Sequence, residues 1–457
     1  MDPLFVKRMK EMTGDEFVQY IESLDKPLFR GVRLSGLKQP IEKTHQRLNA
    51  LDTPSPFAPN AYRTNASLGL NPAHVQGLIY LQEPSAMSAV EVLNPSPNDV
   101  VLDLCAAPGS KSTQIVQKLK DGFLLSNEID PKRAQALLSN MERMGAENFM
   151  VTNNDSQTLS KSLGEVFDKI LVDAPCSGEG MMKKHEAAMN EWSLPNVLLC
   201  SARQKDILKE AWKMLKPGGQ LVYSTCTYAK EENEQNVAWV LEQFEDARQL
   251  PIDVSWGRPG LETPGMDASK VRRIFPMDGG EGHFIARFEK VAADEQQVPS
   301  KKSIWIDRSD ALPESARTFI EAQTEKPFSY YRVANGKVYG MNHPFMNLKK
   351  AKILRQGVLI GEPVKNRFEP EYAFFMSQNM AHFSRTKTET TLEQMDEYFH
   401  GQQLSISAPS GYRTLCYQGI PYGFGKSSQS RITNKLPKGL RLAPDSHIKE
   451  VNEDEHQ

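Results

Sequence analysis

The sequence predicts an α/β protein whose central part, residues 76–290, is a doubly wound parallel sheet. Short apolar runs there alternate with helical stretches: VVLDLC precedes STQIVQKLK, GFLLSNEI precedes PKRAQALLSNMERM, and KILVDAP precedes a long helix that ends before QLVYSTCTY. Strands alternating with helices of this length indicate a parallel sheet. Two of the runs also end in residues capable of chemistry, and such sheets place their sites at the carboxyl ends of strands.

Length and composition indicate a globular protein of several domains. The chain has 457 residues, of which 39% are hydrophobic and 25% charged. At roughly 150 residues per domain this suggests about three domains and excludes a mainly disordered or fibrous protein. The formal net charge of −2 excludes a bulk polycation but leaves room for local basic surfaces. Because no signal segment and no long apolar run occurs, we expect a soluble, cytoplasmic protein without membrane contact.

The five cysteines predict neither a disulfide framework nor a structural metal site. They are odd in number, widely spaced and never in a C-x-x-C pair, which fits a reducing compartment. We therefore expect no bound metal. A single cysteine is by default a small buried core residue, and we keep this interpretation for Cys105, Cys200 and Cys416 when each is taken alone.

Residues before the predicted sheet indicate helices and polar loops. MTGDEFVQYIESL has Phe17, Tyr20, Ile21 and Leu24 at helical spacing, which predicts an amphipathic helix. Six basic residues and one acid lie between positions 26 and 47. Either a solvated surface or contact with phosphates explains this excess. The basic residues are Lys26, Arg30, Arg33, Lys38, Lys43 and Arg47.

Two further basic segments lie after the predicted sheet. Residues 331–369 contain eight Lys or Arg against two acids, and residues 411–441 contain six against none. Basic side chains interleaved with aromatic ones suit phosphate attraction and base stacking, which predicts nucleic-acid binding. The aromatic residues are Tyr330, Tyr331, Tyr412, Tyr417, Tyr422 and Phe424.

The segment DLCAAPGSKS, residues 103–112, joins the first predicted strand to a helix through small residues. Such a turn lets a ligand approach the backbone and points helix N-terminal amides at it. The segment matches neither G-x-G-x-x-G nor a P-loop, so a ligand with a carboxylate and an adenosine-like body fits better than a nucleotide phosphate. Glu128, at the next strand end, is placed to bond ribose hydroxyls. Asp155, after the third strand, is placed to contact an adenine amine.

Two cysteines follow two further predicted strands. ILVDA ends at Asp173 and is followed by Pro175 and Cys176, while Cys226 lies at the end of QLVYST. Because neighbouring parallel strands bring their carboxyl ends together, we expect both thiols to share one pocket. A thiolate can add to carbon 6 of a pyrimidine, after which carbon 5 can attack an electrophilic methyl group. Spacing alone does not choose between the two thiols.

Three segments, CAAPGSK, DAPCSGEG and STCTY, in this order resemble the Nop/Sun family of RNA cytosine carbon-5 methyltransferases. The likeness extends to RGVRLSGLK, GLIYLQEPSAM, RRIFPMDGGEGHFIARF and GYRTLCYQGIPYGFGKSSQSRITNKLPKGLR, and is greatest for the bacterial small-subunit ribosomal RNA subgroup. The resemblance implies a doubly wound, Rossmann-like class I methyltransferase core. An N-terminal helical RNA-binding extension would precede it, and mixed α/β and PUA-like domains would follow.

The same resemblance divides the chain into six segments. They are an N-terminal RNA-binding extension (1–75), an S-adenosylmethionine-dependent methyltransferase domain (76–290), a linker (291–303), a small ferredoxin-like α/β domain (304–390), a PUA-like RNA-binding domain (391–447) and a disordered tail (448–457).

The resemblance also implies a role for each site residue. Cys226 would be the nucleophile, Cys176 would help release the methylated product, and Asp173 would bond the cytosine while lining the cofactor site. The residues implied to hold S-adenosylmethionine are Cys105, Ala106, Ala107, Pro108, Gly109, Ser110, Lys111, Glu128, Arg133, Asp155 and Asp173. The group that removes the carbon-5 proton is not identified by the sequence.

The implied function is methylation of carbon 5 of a cytosine in 16S ribosomal RNA of the small subunit, by a monomer, through a cysteine adduct at carbon 6. Two alternatives stay open: the same chemistry on transfer RNA or large-subunit RNA, and an RNA-binding assembly factor without catalysis. A DNA cytosine methyltransferase would use the cysteine of Pro175-Cys176. Such enzymes lack a second cysteine in a T-C-T strand end and lack these RNA-binding flanks.

Overall fold

The fold is taken from a computed structural model that describes residues 1–49, 51–183, 192–292, 304–365 and 367–450. Most of the predicted linker (residues 293–303) and most of the predicted tail (residues 451–457) lie outside the described residues, so neither prediction is tested. Among the helices of the described ranges, none is both long and apolar enough to cross a membrane.

The N-terminal segment folds into short helices and a three-stranded antiparallel sheet, in the order β2-β1-β3. Its elements are α1 (Pro3–Thr13), α2 (Phe17–Leu24), β1 (Gly31–Leu34), α3 (Ile41–Arg47), β2 (Ala61–Arg63), α4 (Pro72–Val75) and β3 (Ile79–Leu81). The predicted amphipathic helix corresponds to α2. Its apolar residues pack in one cluster with Trp192, Val197 and Tyr228 of the central domain, which fixes the segment against that domain.

The central domain contains the predicted doubly wound sheet. Its elements are α5 (Ser88–Leu93), β4 (Val100–Asp103), α6 (Ser110–Lys118), β5 (Phe123–Asn127), α7 (Pro131–Met144), β6 (Phe149–Thr152), α8 (Ser156–Leu163), β7 (Phe167–Asp173), α9 (Leu194–Met214), β8 (Leu215–Thr225), α10 (Glu234–Gln243), β9 (Ala247–Leu250), β10 (Arg272–Ile274) and β11 (His283–Lys290). Strands β8-β7-β4-β5-β6 are parallel neighbours, and β11 pairs antiparallel with β8. This arrangement confirms the predicted fold class.

Alternate residues of the central strands pack into two different cores. Val101 and Leu124 belong to one apolar cluster, whereas Leu102 and Leu125 belong to the other. Side chains alternate between the two faces of a strand, so both faces of this sheet are covered. The double burial explains the nearly continuous apolar runs in the sequence. It also leaves the strand ends as the part of the sheet that a ligand can reach.

The C-terminal region contains two four-stranded sheets. Its elements are β12 (Trp305–Ile306), α11 (Glu314–Gln323), β13 (Tyr330–Ala334), β14 (Lys337–Met341), β15 (Phe345–Met346), β16 (Ile353–Gln356), β17 (Val358–Val364), β18 (Arg367–Pro370), α12 (Tyr372–Met376), α13 (Gln378–Phe383), β19 (Lys387–Glu389), α14 (Leu392–Phe399), β20 (Ala408–Tyr417), β21 (Ile420–Gln429) and β22 (Ile432–Asn434). The second sheet runs β19-β20-β21-β22, and its first strand begins at Lys387, before the predicted boundary at 391.

The ferredoxin-like prediction for residues 304–390 is wrong. The first sheet of this region has the order β13-β14-β17-β18 with antiparallel pairs throughout, whereas a ferredoxin-like sheet requires helical crossovers between its strands. The tight turn at Asn335-Gly336, with positive φ at both residues, joins β13 directly to β14. Strand β16 leaves this region and pairs antiparallel with β6, which extends the central sheet.

A buried carboxyl group, Glu147, joins the central domain to the C-terminal region. It accepts a hydrogen bond from the backbone of Asn379 at 2.6 Å and one from the side-chain amide of Asn342 at 3.2 Å. Burial raises the pKa of Glu147 to about 7. The carboxyl is therefore largely protonated in the folded protein at pH values where it would be ionised in the unfolded chain.

We expect this shift to make the folded protein less stable as pH rises from about 4.5 to 7. The folded state binds more protons than the unfolded state over this range, so the free energy of unfolding falls with pH. In Glu147→Gln the free energy of unfolding is expected to fall by about 1–3 kcal/mol less than in the wild type over this pH range. Urea unfolding at pH 5, 6, 7 and 8 measures it, with the exposed Glu11→Gln as control. Parallel curves for wild type and Glu147→Gln would contradict the prediction.

Candidate active site

The loop between β4 and α6 is held from several sides. The backbone N–H of Ala106 donates to the carbonyl of Asn127 at 2.8 Å, and the amide of Asn140 donates to the carbonyl of Pro108 at 2.9 Å. Gly109 has φ +106°, and a Cβ there would lie 3.0 Å from a methyl carbon of Leu137. Both the backbone conformation and the close packing require glycine. The loop therefore presents its backbone at the carboxyl end of β4.

Two of the predicted cofactor residues lie against this loop. Glu128 is buried and accepts a hydrogen bond from the backbone N–H of Ala107 at 3.3 Å. The guanidinium of Arg133 donates to the carbonyl of Ala107 at 2.8 Å and lies 3.7 Å from the carboxylate of Glu128. The structure thus brings Glu128 and Arg133 together beside the loop, as the sequence prediction requires.

Asp155 is placed differently. Its exposed carboxylate caps helix α8, accepting hydrogen bonds from the backbone N–H and the hydroxyl of Thr158 at 2.7 and 2.8 Å. These bonds lower the pKa of Asp155. Within the described ranges, no hydrogen bond joins Asp155 to the loop or to Glu128. Its contact with an adenine amine therefore stays a prediction.

The charged centre of the site is the pair of Lys111 and Asp173. The ammonium of Lys111 lies 2.7 Å from one carboxylate oxygen of Asp173, and the hydroxyl of Ser224 donates to the other at 2.7 Å. Burial alone would raise the pKa of Asp173, but Lys111 and the nearby His283 lower it overall. Burial also disfavours the charged form of Lys111, but the attraction of the Asp173 carboxylate outweighs this effect, so the pKa of Lys111 is raised. Both groups are therefore ionised at neutral pH.

The structure brings the two predicted thiols into contact. The sulfur atoms of Cys176 and Cys226 are 3.1 Å apart at the ends of the neighbouring strands β7 and β8, and both residues are partly buried. The hydrogen bond with Cys226 and burial raise the pKa of Cys176 well above its usual value. Cys176 therefore remains a thiol at neutral pH.

Buried polar residues behind the thiols were missed by the sequence prediction. Glu232 accepts hydrogen bonds from the backbone of Ser177 at 3.1 Å and from the amide of Gln204 at 2.7 Å, and burial raises its pKa to about 7. Glu179 accepts from Thr227 at 3.0 Å. These contacts tie the loop after β7 to the loop after β8. Glu179 lies within the motif DAPCSGEG, but no local signal marks Gln204 or Glu232.

Two further titratable groups near Asp173 were also missed. Asp103 ends β4 and accepts a hydrogen bond from the hydroxyl of Ser112 at 2.7 Å, and burial raises its pKa to about 7. The imidazole Nε2 of His283 lies 3.9 Å from the carboxylate of Asp173. Burial and the charge of Lys111 lower the pKa of His283 to about 4, so the ring is neutral.

The structure limits the proposed phosphate-contacting surface of the N-terminal segment. Arg33 donates to the hydroxyl of Thr113 at 2.8 Å, and Lys38 donates to the carbonyls of Gln76 and Arg143, both at 2.8 Å. Both cations are buried. They join the segment to helices α6 and α7, so at these two positions the phosphate-contact interpretation is wrong. The side chains of Lys26, Arg30 and Lys43 are exposed.

The fold and the site together define a Rossmann-like methyltransferase. The sheet is doubly wound with an antiparallel β11, a loop of small residues follows β4, and thiols lie at two strand ends. The chain matches four family models along its length. They are described as 16S rRNA methyltransferase RsmB/F (residues 90–289), the N-terminal domain of 16S rRNA methyltransferase RsmF (1–84), the RsmF rRNA methyltransferase first C-terminal domain (318–377) and the methyltransferase RsmF PUA domain (385–442).

The chain is also similar over most of its length to curated proteins named ribosomal RNA small subunit methyltransferase F. It is 32% identical over 453 residues to the protein of Vibrio parahaemolyticus, covering 92% of this chain and 93% of that one. For Enterobacter sp. the identity is 30% over 465 residues, covering 95% of each. The chain therefore belongs to the ribosomal RNA small subunit methyltransferase F family, which confirms the resemblance seen in the sequence.

Solved structures agree with the fold. A methyltransferase homologue from Pyrococcus horikoshii has a TM-score of 0.57 and 31% identity, covering 64% of this chain and 96% of that one. NSun6 from the same organism, solved with SFG, has a TM-score of 0.56 and 24% identity, covering 63% of this chain and 98% of that one. At that lower identity the second likeness bears on the fold alone.

Proposed function

We propose that this enzyme transfers a methyl group from S-adenosylmethionine to carbon 5 of a cytosine in 16S ribosomal RNA of the small subunit. The observation that carries the proposal is the contact of Cys176 with Cys226 beside the ionised pair of Lys111 and Asp173. The small-subunit substrate is supported by the family to which the chain belongs. The PUA domain model supports contact with RNA.

The residues at the carboxyl ends of β4 and β5 fit S-adenosylmethionine. Burial raises the pKa of Cys105, and the carboxylates of Asp103, Glu128 and Asp173 raise it further, so three acids surround this position. Such acids suit a ligand that carries a sulfonium and an amino group. The residues that would hold it are Cys105, Ala106, Ala107, Pro108, Gly109, Ser110, Lys111, Glu128, Arg133, Asp155 and Asp173. When bound, the cofactor supplies an electrophilic methyl group.

The neighbouring charges prepare the cytosine for attack. Asp173, held ionised by Lys111, accepts hydrogen bonds from the exocyclic amine of the base. The ammonium of Lys111 lies beside it and stabilises the negative charge that develops on the ring. The sulfur of Cys226 adds to carbon 6, which gives carbon 5 the electron density of an enamine. Carbon 5 would then bond to the methyl carbon as the bond between that carbon and the sulfonium sulfur breaks, and the electron pair of the broken bond would stay on the departing sulfur.

Product release requires the bond between carbon 6 and Cys226 to break. When carbon 5 loses its proton, the electron pair of that C–H bond forms the double bond between carbon 5 and carbon 6. The electron pair of the carbon–sulfur bond then returns to Cys226. Cys176 carries its proton at neutral pH and lies 3.1 Å away, so its S–H group can donate to the departing thiolate. In this proposal Cys226 is the nucleophile and Cys176 assists elimination.

The experiment is methylation with labelled S-adenosylmethionine of four substrates: naked small-subunit RNA, assembled small subunits, large-subunit RNA and transfer RNA. We expect labelled 5-methylcytosine, identified by mass spectrometry after digestion, in one or both small-subunit samples. Label confined to transfer RNA or large-subunit RNA would keep the chemistry and overturn the substrate. No label in any sample would support the binding factor instead.

A further inference from the structure

A cavity of about 450 Å³ lies between the N-terminal segment and the central domain. Its walls come from the residues before β1, from the loops after β2 and β3, and from the loop that follows Cys176. Among the residues that line it are Phe29, Leu68, Leu81, Gln82 and Gly180. We call this space the Gln82 cavity. None of the steps in the proposed transfer uses it.

The side chain of Gln82 presents an unsatisfied amide. Both its nitrogen and its oxygen are buried, and neither has a hydrogen-bond partner in the part of the chain that the structure describes. The backbone N–H of Gln82 donates to the carbonyl of Gly31 at 2.9 Å, which fixes the residue at the end of β3. Buried polar groups are usually paired, so this amide is suited to a partner from outside the chain. That partner must present a donor next to an acceptor.

The other walls suit a flat, apolar ring next to a phosphate chain. Leu68 and Leu81 contribute apolar surface, and the ring of Phe29 is partly exposed. The exposed Arg30 also lines the cavity and places positive charge at its edge, where phosphates would be attracted.

Two acids in the walls do not oppose this charge pattern, because they already have partners. Glu83 accepts hydrogen bonds from the backbone N–H groups of Ser85 at 2.9 Å and Glu281 at 3.1 Å. Glu281 accepts one from the backbone of Phe29 at 2.6 Å and lies 3.5 Å from the ammonium of Lys183. Among the described residues that line the cavity, Gln82 is the one with two buried polar side-chain atoms that lack a hydrogen-bond partner.

The cavity is next to the catalytic thiol. The backbone N–H of Gly180, in its wall, donates to the carbonyl of Cys226 at 2.9 Å. A Cβ at Gly180 would lie 3.0 Å from the carbonyl oxygen of Gly282 and 3.1 Å from that of Cys226, so the loop packs closely there. A nucleotide bound in the cavity would therefore be a near neighbour of the base at Cys226.

We propose that the Gln82 cavity receives an adenine base next to the target cytosine and that the amide of Gln82 reads it. A glutamine amide matches the adjacent amino donor and ring-nitrogen acceptor of adenine. This inference rests on the proposed function, because it assigns a second base of the same RNA. Gln82 then acts as a specificity-determining residue: it selects the sequence around the target and takes no part in the chemistry at Cys226.

The test uses the RNA that the wild-type enzyme methylates, with each nucleotide flanking the methylated cytosine changed in turn to the other three bases. We expect kcat/KM to fall about 10- to 100-fold when adenine is lost at one flanking position. Gln82→Leu is expected to lower kcat/KM by a similar factor on the adenine RNA and to abolish the preference. Gln46→Leu, an exposed change in the same segment, is the control and should behave as wild type.

The outcomes of this test distinguish a failure of the adenine site from a failure of the proposed methyltransferase function. Methylation by wild type without a preference at any flanking position would overturn the adenine site and leave the methyltransferase function standing. So would a Gln82→Leu enzyme that keeps the wild-type preference. If Gln82→Leu fails to fold, judged by its Tm, Gln82→Glu replaces it, and a wild-type base preference in that variant counts against the site. No methylation of any RNA would overturn both proposals.

Discussion

Replacing Cys176 with alanine is expected to leave the enzyme covalently bound to its RNA, whereas replacing Cys226 is expected to abolish both the adduct and methylation. In the proposed mechanism the sulfur of Cys226 forms the bond to carbon 6, so its loss should lower kcat by about 10⁴-fold or more. Cys176 is proposed to assist only the breaking of that bond. Without its S–H group, 3.1 Å from Cys226, the methylated intermediate should accumulate.

A denaturing gel of enzyme mixed with labelled RNA measures the adduct as a retarded band. Cys416→Ala is the control, because Cys416 is buried in β20 of the C-terminal region, and it should give neither a band nor a loss of methylation. A band in Cys226→Ala and none in Cys176→Ala would reverse the two roles. The nucleophile would then be the cysteine of Pro175-Cys176, as in the DNA enzymes.

The central sheet could be predicted because its strands are buried on both faces and their connections are local. The runs VVLDLC and GFLLSNEI are each followed within a few residues by a helix, so the alternation is visible in the sequence. Strand β16 could not be predicted as part of this sheet. It pairs with β6 across some two hundred residues, and its four residues carry no pattern that names a partner.

One hairpin of the region that was wrongly predicted to be ferredoxin-like had a signal in the sequence. Asn335-Gly336 lies between two short runs, and this dipeptide is typical of a two-residue hairpin turn. The direct connection from β13 to β14 follows from it. The family resemblance predicted that this region is mixed α/β. The strand order depends on which turns connect the strands, and a resemblance carried by other segments does not specify those turns.

The site residues that lie at strand ends could be predicted from the sequence. The prediction failed for basic residues whose role depends on whether the side chain is exposed or buried. Asp173, Cys176 and Cys226 meet because neighbouring parallel strands end at one edge. Arg33 and Lys38 look like phosphate contacts by charge alone, yet both are buried and donate hydrogen bonds to the central domain, at Thr113 and Arg143. Charge in a sequence does not reveal whether a long side chain reaches solvent or a buried carbonyl.

The second large effect is expected for Asp173→Asn, which should lower kcat by about 10²- to 10⁴-fold with little change in fold. Asparagine keeps the size of the side chain, but it lacks the negative charge that balances Lys111 and that, in the proposed mechanism, accepts from the amine of the base. Asp168→Asn is the matched control, because Asp168 lies on the same strand and pairs with the half-exposed Lys216. The control should keep kcat near the wild-type value.

The pH profile of the residual activity separates this role from a general loss of structure. In the wild type, Asp173 raises the pKa of the buried Lys111. Without that carboxylate, burial lowers the pKa of Lys111, so its ammonium is lost as pH rises. The residual kcat of Asp173→Asn should therefore fall with rising pH at lower pH values than the wild-type kcat does. Identical pH profiles would mean that Asp173 does not maintain the charge on Lys111.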